Sequence, residues 1–163
     1  MRRGIFKIIV WQIFFAAVTA VIIRAVLTER TPADIPLDVI EAEFDENYAV
    51  EGMQKAGAMR IKRAYGVNAS DYADYIYYAP SDTMDVNEFF MVKVTDEAQK
   101  KEVVKAMEYR LNEQKKIFDG YGTDQIELLE KARIFSEGNY VCFMVSSYSK
   151  AWLNMIKDKI EVK

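Results

Sequence analysis

The sequence predicts an α+β fold, and three observations support that prediction. Short aromatic and β-branched runs alternate with longer stretches in which apolar residues recur every three to four positions. Gly and Pro separate these runs where strands or helices would have to end. A pattern of two strands followed by a helix occurs twice. Two such strand–strand–helix units, preceded by two helices, would form a four-stranded, mostly antiparallel sheet with both long helices on one face.

The first element is an apolar N-terminal run, which we interpret as a transmembrane anchor within residues 1–28. From Ile5 to Leu27 only four residues are polar or charged. A helix of this length rises about 1.5 Å per residue and can cross a hydrocarbon core of about 30 Å. The apolar residues assigned to the anchor include Ile8, Trp11, Phe14, Phe15 and Ile23.

Charges around this run predict its orientation. Arg2, Arg3 and Lys7 precede it, whereas the first acidic residue of the chain is Glu29. The positive-inside rule therefore predicts a single-pass protein of the cell membrane, with a cytoplasmic N-terminus and an extracytoplasmic remainder. The alternative is a cleaved signal peptide with a small-residue site at residues 18–20, although the apolar run continues beyond that site. Residues 29–35 would form a polar tether.

The extracytoplasmic domain, residues 36–163, begins with two predicted helices. Pro36 suits the first turn of a helix that continues to about Phe44. A second helix is predicted from Glu51 to Tyr65, where Gly66 would end it.

The first strand–strand–helix unit follows these helices. Its predicted strands are Tyr75–Ala79 and Phe89–Val94. Its helix, with Thr95 as the predicted cap, extends from Asp96 to about Asp119. A short helix is predicted from Asp124 to Lys131. The buried stripe of the long helix is predicted to comprise Val103, Met107, Leu111 and Phe118.

The second unit repeats the pattern. Predicted strands Ala132–Ser136 and Tyr140–Ser146 are joined by a tight turn, and a helix follows from about Ser149 to Ile160.

Composition excludes several classes of function. All 25 acidic residues follow residue 28, so the domain is acidic, and nucleic acid is not an expected partner. The chain has no His, which removes the commonest general base and zinc ligand. The acidic residues between Glu41 and Glu46 lack the spacing of a calcium loop and indicate a solvated helix face. We therefore predict no metal and no cofactor.

Two motifs suggest nucleophiles but are better explained structurally. Ser147-Tyr148-Ser149-Lys150 matches the S-x-x-K nucleophile motif, yet its companion motifs are absent and a helix cap is the simpler explanation. Cys142 is the only cysteine, so an intramolecular disulfide is impossible, as is common for exported bacterial domains of this size. Its position within a strand predicts a buried structural thiol.

Tyrosines provide the candidate binding residues. Tyr75 and Tyr77 would project from the same side of their strand, and an open sheet face there would form an aromatic platform for a sugar ring or a protein. The alternative is that the two N-terminal helices cover this face. Tyr140 and Tyr121, the latter between two glycines, complete the predicted set; Tyr121 could also simply close the end of the long helix.

Four segments resemble a known family: Tyr65–Val67, Tyr77–Pro80, Gln114–Tyr121 and Gly138–Val141. Over roughly residues 35–160 the chain resembles the family called domain of unknown function 4358. The members of that family are exported proteins of Gram-positive bacteria, tethered by a lipid-modified cysteine or an N-terminal helix. The resemblance implies location and fold, and no activity or catalytic residues.

These observations favour a non-enzymatic, membrane-anchored module that binds or positions an envelope protein or polysaccharide. The alternatives are an accessory or weak hydrolase of envelope polymers, using carboxylates such as Asp119 and Asp124, and a structural domain that associates with itself.

Overall fold

The computed structural model describes residues 11–12, 14–20, 34–47 and 52–160. The chain divides into two units. The first unit is Met1–Thr31 with Val162–Lys163, and the second is Pro32–Glu161.

Within the first unit, residues 11–12 and 14–20 are helical, and the side chains of Trp11, Phe14 and Phe15 are exposed. Of the helices in the described residues, none has both the length and the hydropathy to cross a membrane. The predicted anchor residues Ile8 and Ile23, like most of the predicted anchor and tether, lie outside the described residues.

The second unit is built on an antiparallel sheet of five strands in the order β1-β2-β3-β5-β4. The strands are β1 Met53–Lys55, β2 Asp74–Pro80, β3 Glu88–Lys93, β4 Arg133–Glu137 and β5 Tyr140–Val145. Hairpins β2–β3 and β4–β5 meet where β3 pairs with β5, with Phe90 opposite Phe143. The α+β class is therefore confirmed, with one strand more than predicted.

Five helices of this unit cover both faces of the sheet. They are α1 Leu37–Asn47, α2 Ala58–Tyr65, α3 Glu97–Phe118, α4 Thr123–Glu130 and α5 Ser149–Ile160. Helices α2, α3 and α4 pack on the side of Tyr77 and Phe90, which we call the cleft face. Helices α1 and α5 pack on the side of Tyr78 and Phe89, which we call the apolar face.

The prediction of one helix from Glu51 to Tyr65 is wrong. Gly52, at φ +76°, leads into β1, which pairs with the end of β2 and places Met53 opposite Pro80. Gly57 then precedes α2. The apolar spacing suited a helix, but pairing with β2 satisfies the backbone of residues 53–55, and a glycine at position 57 disfavours a continuous helix.

The expectation of both long helices on one face is also wrong. Helix α3 buries Val103 and Met107 on the cleft face, whereas α5 buries Trp152 and Ile156 on the apolar face. The two strand–strand–helix units thus share their order of elements but not their three-dimensional arrangement. Each strand has an apolar side for each helix layer, which explains why the central strands read as continuous apolar runs.

Local signals place the start of α3. Asp96, rather than the predicted Thr95, caps the helix, because its Oδ1 accepts hydrogen bonds from the backbone N–H groups of Ala98 at 2.8 Å and Gln99 at 2.9 Å. Helix α3 then crosses the cleft face and carries two polar residues, Arg110 and Gln114, on that face.

Candidate functional site

A buried carboxylate stands at the start of β3. Glu88 is 0% exposed, although it immediately precedes the aromatic core of the strand. The hydroxyl of Tyr65 donates to Glu88 Oε1 at 2.9 Å, and the hydroxyl of Tyr77 donates to the same oxygen at 2.7 Å. A buried charge is costly unless it is paired and hydrogen-bonded, and these two contacts satisfy one of its oxygens.

Arg110 satisfies the other carboxylate oxygen. Its Nε and Nη2 both lie 3.2 Å from Glu88 Oε2, so one edge of the guanidinium binds this carboxylate oxygen. The Arg110 side chain is 21% exposed, whereas that of Glu88 is fully enclosed. The arginine therefore joins the buried network to the surface.

The network shifts the pKa of its members. Burial, followed by the charge of Glu88, raises the pKa of both Tyr65 and Tyr77 well above the ordinary tyrosine value. Burial alone would lower the pKa of Arg110. The charge of Glu88, together with smaller contributions, outweighs burial and raises this pKa. Both phenols therefore stay protonated hydrogen-bond donors, and Arg110 stays charged.

Above the network lies a cleft of about 360 Å³. Its walls are α2, α3 and the loop between β2 and β3. The lining comprises Arg60, Arg63, Ala64, Tyr77, Pro80, Asp82, Thr83, Asp85, Arg110, Gln114, Ile117 and Phe118. The volume is in the range of small-molecule sites, and the lining combines apolar, aromatic and charged side chains.

Two further arginines reach the cleft from α2. Arg60 donates from Nη2 to the carbonyl oxygen of Pro80 at 3.0 Å. Among the described residues, no carboxylate lies within ion-pairing distance of Arg60 or of the exposed Arg63. Their positions, three residues apart on a helix, place them on neighbouring parts of one surface.

The aspartates of the cleft are partly occupied by their own loop. Asp82 Oδ1 accepts from the backbone N–H of Met84 at 2.7 Å. Asp85 Oδ1 accepts from the backbone N–H of Asn87 at 2.9 Å and from its side-chain amide at 2.8 Å. These contacts hold the loop that forms one wall, and neither aspartate forms an ion pair with Arg60 or Arg63.

Gln114 completes the lining with an unsatisfied acceptor. Its side chain is 4% exposed, and its Oε1 has no hydrogen-bond partner in the part of the chain that the structure describes. Most buried polar atoms in proteins are hydrogen-bonded, so this oxygen marks a position where a donor is missing.

The structure separates the predicted tyrosines. Tyr77 is buried on the cleft face and Tyr140 on the apolar face. The Tyr140 hydroxyl accepts from the N–H of Ile35 at 2.5 Å and donates to its carbonyl oxygen at 2.6 Å. Of the two alternatives for the sheet face, burial is confirmed at Tyr77, but the expected cover by both N-terminal helices is wrong. Helices α2 and α3 cover this face, whereas α1 packs on the apolar face.

Tyr75 and Tyr121 are more accessible. Tyr75 is partly buried and borders a groove beyond the end of β1, which Glu41 and Lys55 also line. Tyr121 is exposed, and its ring lies 5.8 Å from that of Phe118, so it covers the end of α3. The assignment of these two residues as partner contacts stays a prediction.

The residues considered for other chemistries lie outside the cleft lining. Cys142 is fully buried, and burial raises the pKa of its thiol well above the ordinary value, as expected for a structural residue. Ser149 starts α5 and donates to the carbonyl oxygen of Lys131 at 3.4 Å. Asp119 and Asp124, the acids considered for hydrolysis, are both exposed and do not line the cleft.

The acidic face of α1 is engaged with neighbouring side chains. Glu41 pairs with Lys55 at 2.8 Å, and Glu43 pairs with Lys159 at 3.0 Å. Asp45 accepts a hydrogen bond from Tyr78. Within the described residues, no group of three or more potential metal-binding side chains is present.

Sequence reasoning missed Glu88, Arg110 and Gln114. A signal was present in α3, because the apolar stripe at Val103 and Met107 continues with helical spacing through Arg110 and Gln114. Polar residues on such a stripe indicate a buried network or a cleft. The prediction of Leu111 in the stripe is correct only in part, since its side chain is partly buried.

Comparison with known proteins gives one match. Neither the curated proteins nor the solved structures include one that matches this chain. Residues 46–146, more than half of the chain and the whole of the cleft lining, match the family described as a domain of unknown function, DUF4358. The chain therefore belongs to the DUF4358 family.

Proposed function

We propose that this protein is a membrane-anchored, extracytoplasmic binding module that positions a cell-envelope component and has no catalytic activity of its own. The observation that carries the binding role is the cleft, whose walls are held in place before any ligand arrives. The carboxylate of Glu88 fixes Arg110, and two phenols fix Glu88. Such preorganisation reduces the entropy lost when a ligand binds.

The chemistry of the lining supports binding rather than catalysis. It contains no Ser, Cys or Lys, and the hydroxyl of Tyr77 is committed to Glu88. Its two carboxylates, Asp82 and Asp85, each accept hydrogen bonds from their own loop. Nucleophilic catalysis requires a nucleophile activated by a neighbouring base or a lowered pKa. Thr83, the remaining hydroxyl, forms no hydrogen bond to a base in the described part of the chain.

We propose the membrane location on the basis of the N-terminal run and the charges that flank it. Labelling of intact cells with a membrane-impermeant thiol reagent tests it. Met59→Cys, at a position that is 79% exposed, should be labelled without lysis, whereas Arg3→Cys should require lysis. The native Cys142 is buried and should contribute little background. Labelling of Arg3→Cys alone in intact cells would contradict the proposed orientation.

Photo-crosslinking in cells tests the binding role. A photoreactive phenylalanine analogue replaces Ile117, which lines the cleft and is 55% exposed. The matched control places it at Tyr109, which is on the same helix, 64% exposed and outside the cleft lining. We expect a discrete envelope component to be crosslinked from position 117 and not from position 109. Equal patterns from both positions, or none from position 117, would refute the cleft as the binding surface.

A further inference from the structure

The three cleft arginines differ in how much of their hydrogen-bonding capacity is already used. Arg110 contacts Glu88 through one edge of its guanidinium, and Arg60 donates one hydrogen bond to the carbonyl oxygen of Pro80. The side chain of Arg63 makes no hydrogen bond or ion pair with any described residue. Because a guanidinium has five N–H donors, the three side chains together retain many donors around one cleft.

We infer that the cleft binds the oxyanion of a carboxylate or phosphate group, carried by a small ligand or by an exposed end of a larger one. This inference rests on the proposed binding function and adds the chemical class of what is bound. Arginine matches both groups because its planar donors can form paired hydrogen bonds with two oxygens. Arg60 and Arg63 would supply the free charge, and Arg110 a charge held in a fixed position.

The rest of the lining restricts the ligand further. Gln114 also lines the cleft, but its Oε1 is enclosed by protein and is not an acceptor that a ligand can reach. The carboxylates of Asp82 and Asp85, which are part of the lining, provide acceptors for a hydroxyl, amide or ammonium group of the ligand. A ligand with an oxyanion and neighbouring donors therefore fits the cleft better than a simple anion does.

Size and overall charge argue against a long polyanion. A cleft of about 360 Å³ accommodates one such group with its immediate substituents. The sequence beyond residue 28 is acidic, so a chain of negative charges would be repelled from most of the surface. Arg60 and Arg63, which have no carboxylate partner among the described residues, are a local exception, and this favours recognition of a single charged group.

Titration calorimetry on the full-length protein in detergent tests this inference. The probes are inorganic phosphate and acetate, each titrated against a chloride background of equal ionic strength. The variant is Arg60→Gln with Arg63→Gln, two exposed substitutions that leave the Glu88 network intact. The matched control is Arg133→Gln together with Lys150→Gln, which removes the same charge from exposed positions outside the cleft.

We expect at least one probe to bind the wild-type protein and the control, with affinity reduced about tenfold or more in the cleft variant. Binding of phosphate alone, acetate alone or both would identify the group and support the inference. Absence of binding, or equal affinity in all three proteins, would overturn it. If this result accompanied specific crosslinking from position 117, the proposed binding function would stand and only the ligand class would be rejected.

Discussion

The two faces of the sheet are covered to a similar extent but by different chemistry. On the apolar face, Trp152, Phe44 and Phe89 form a contiguous aromatic group, with Trp152 5.1 Å from Phe44 and 5.7 Å from Phe89 between ring centroids. On the cleft face, the aromatic rings of Tyr65 and Tyr77 end in hydroxyls that hold a buried carboxylate. The first arrangement contributes stability alone, whereas the second also holds an arginine at the surface.

This difference indicates which face of the sheet carries a functional site. A buried charge network costs desolvation energy that apolar packing would avoid, and such a network is therefore weak evidence for stability. Among the described residues, a fully buried charge is present on one face only, beneath a cleft, and this supports the proposed site there. The following changes should separate the two faces experimentally.

The largest expected effect is on the apolar face. Trp152→Ala removes a fully buried indole and should lower the free energy of unfolding by about 3–5 kcal/mol. Thermal and denaturant unfolding, followed by circular dichroism, measure the loss. Trp152→Phe keeps most of the packing and should cost much less, because the indole Nε1 has no hydrogen-bond partner among the described residues. Equal losses in the two variants would contradict a packing role.

A somewhat smaller loss is expected on the cleft face. Arg110→Gln leaves the enclosed carboxylate of Glu88 without its ion pair and should cost about 3 kcal/mol, reduced by water that can enter where Arg110 is exposed. Adding Glu88→Gln removes the stranded charge and should recover part of that stability. Denaturant unfolding of both single variants and the double variant gives the coupling energy. Additive losses would show that the pair does not act as a unit.

The smallest loss of stability at neutral pH is expected for the hydroxyls of Tyr65 and Tyr77, which also predict a distinct pH dependence of stability. Their folded-state pKa is raised above the unfolded value of about 10, so the folded state retains protons that the unfolded state loses at higher pH. Stability should therefore be constant just below pH 10 and fall above it. Tyr65→Phe with Tyr77→Phe should cost about 1 kcal/mol per hydrogen bond at pH 7 and make the alkaline fall less steep. An unchanged alkaline slope would contradict this assignment.

The sequence was sufficient to predict those elements whose signals are local. Helix α5 was predicted at its observed bounds, and the β4–β5 hairpin turn was correctly placed at Gly138. The cap of α3 was displaced by one residue, from Thr95 to Asp96. Strand β1 was missed because only its pairing with β2, more than 20 residues away, makes residues 53–55 extended.

The candidate site depended on contacts that no local pattern encodes. Glu88 and Arg110 are 22 positions apart and come together only when α3 packs over β3. The predicted tyrosines were correctly assigned to sides of their strand, but the sequence did not show which helices would cover each side. Tyr77 thus belongs to the site through its hydroxyl, beneath the surface, rather than as part of an open aromatic platform.

The groove beside Tyr75 borders the part of β2 that does not pair with β1. Strand β1 is only three residues long, so it leaves part of β2 uncovered, and an uncovered strand edge is a template for aggregation. Because Ala56 N–H donates to the carbonyl oxygen of Tyr77 on this edge, alternation directs the backbone of Tyr75 toward it as well. The N–H of Tyr75 instead donates to Asp74 Oδ1 at 2.8 Å, which removes a donor that an incoming strand would need. If the protein is anchored as we propose, its copies share the plane of a membrane and meet often, and such protection would disfavour strand pairing between them.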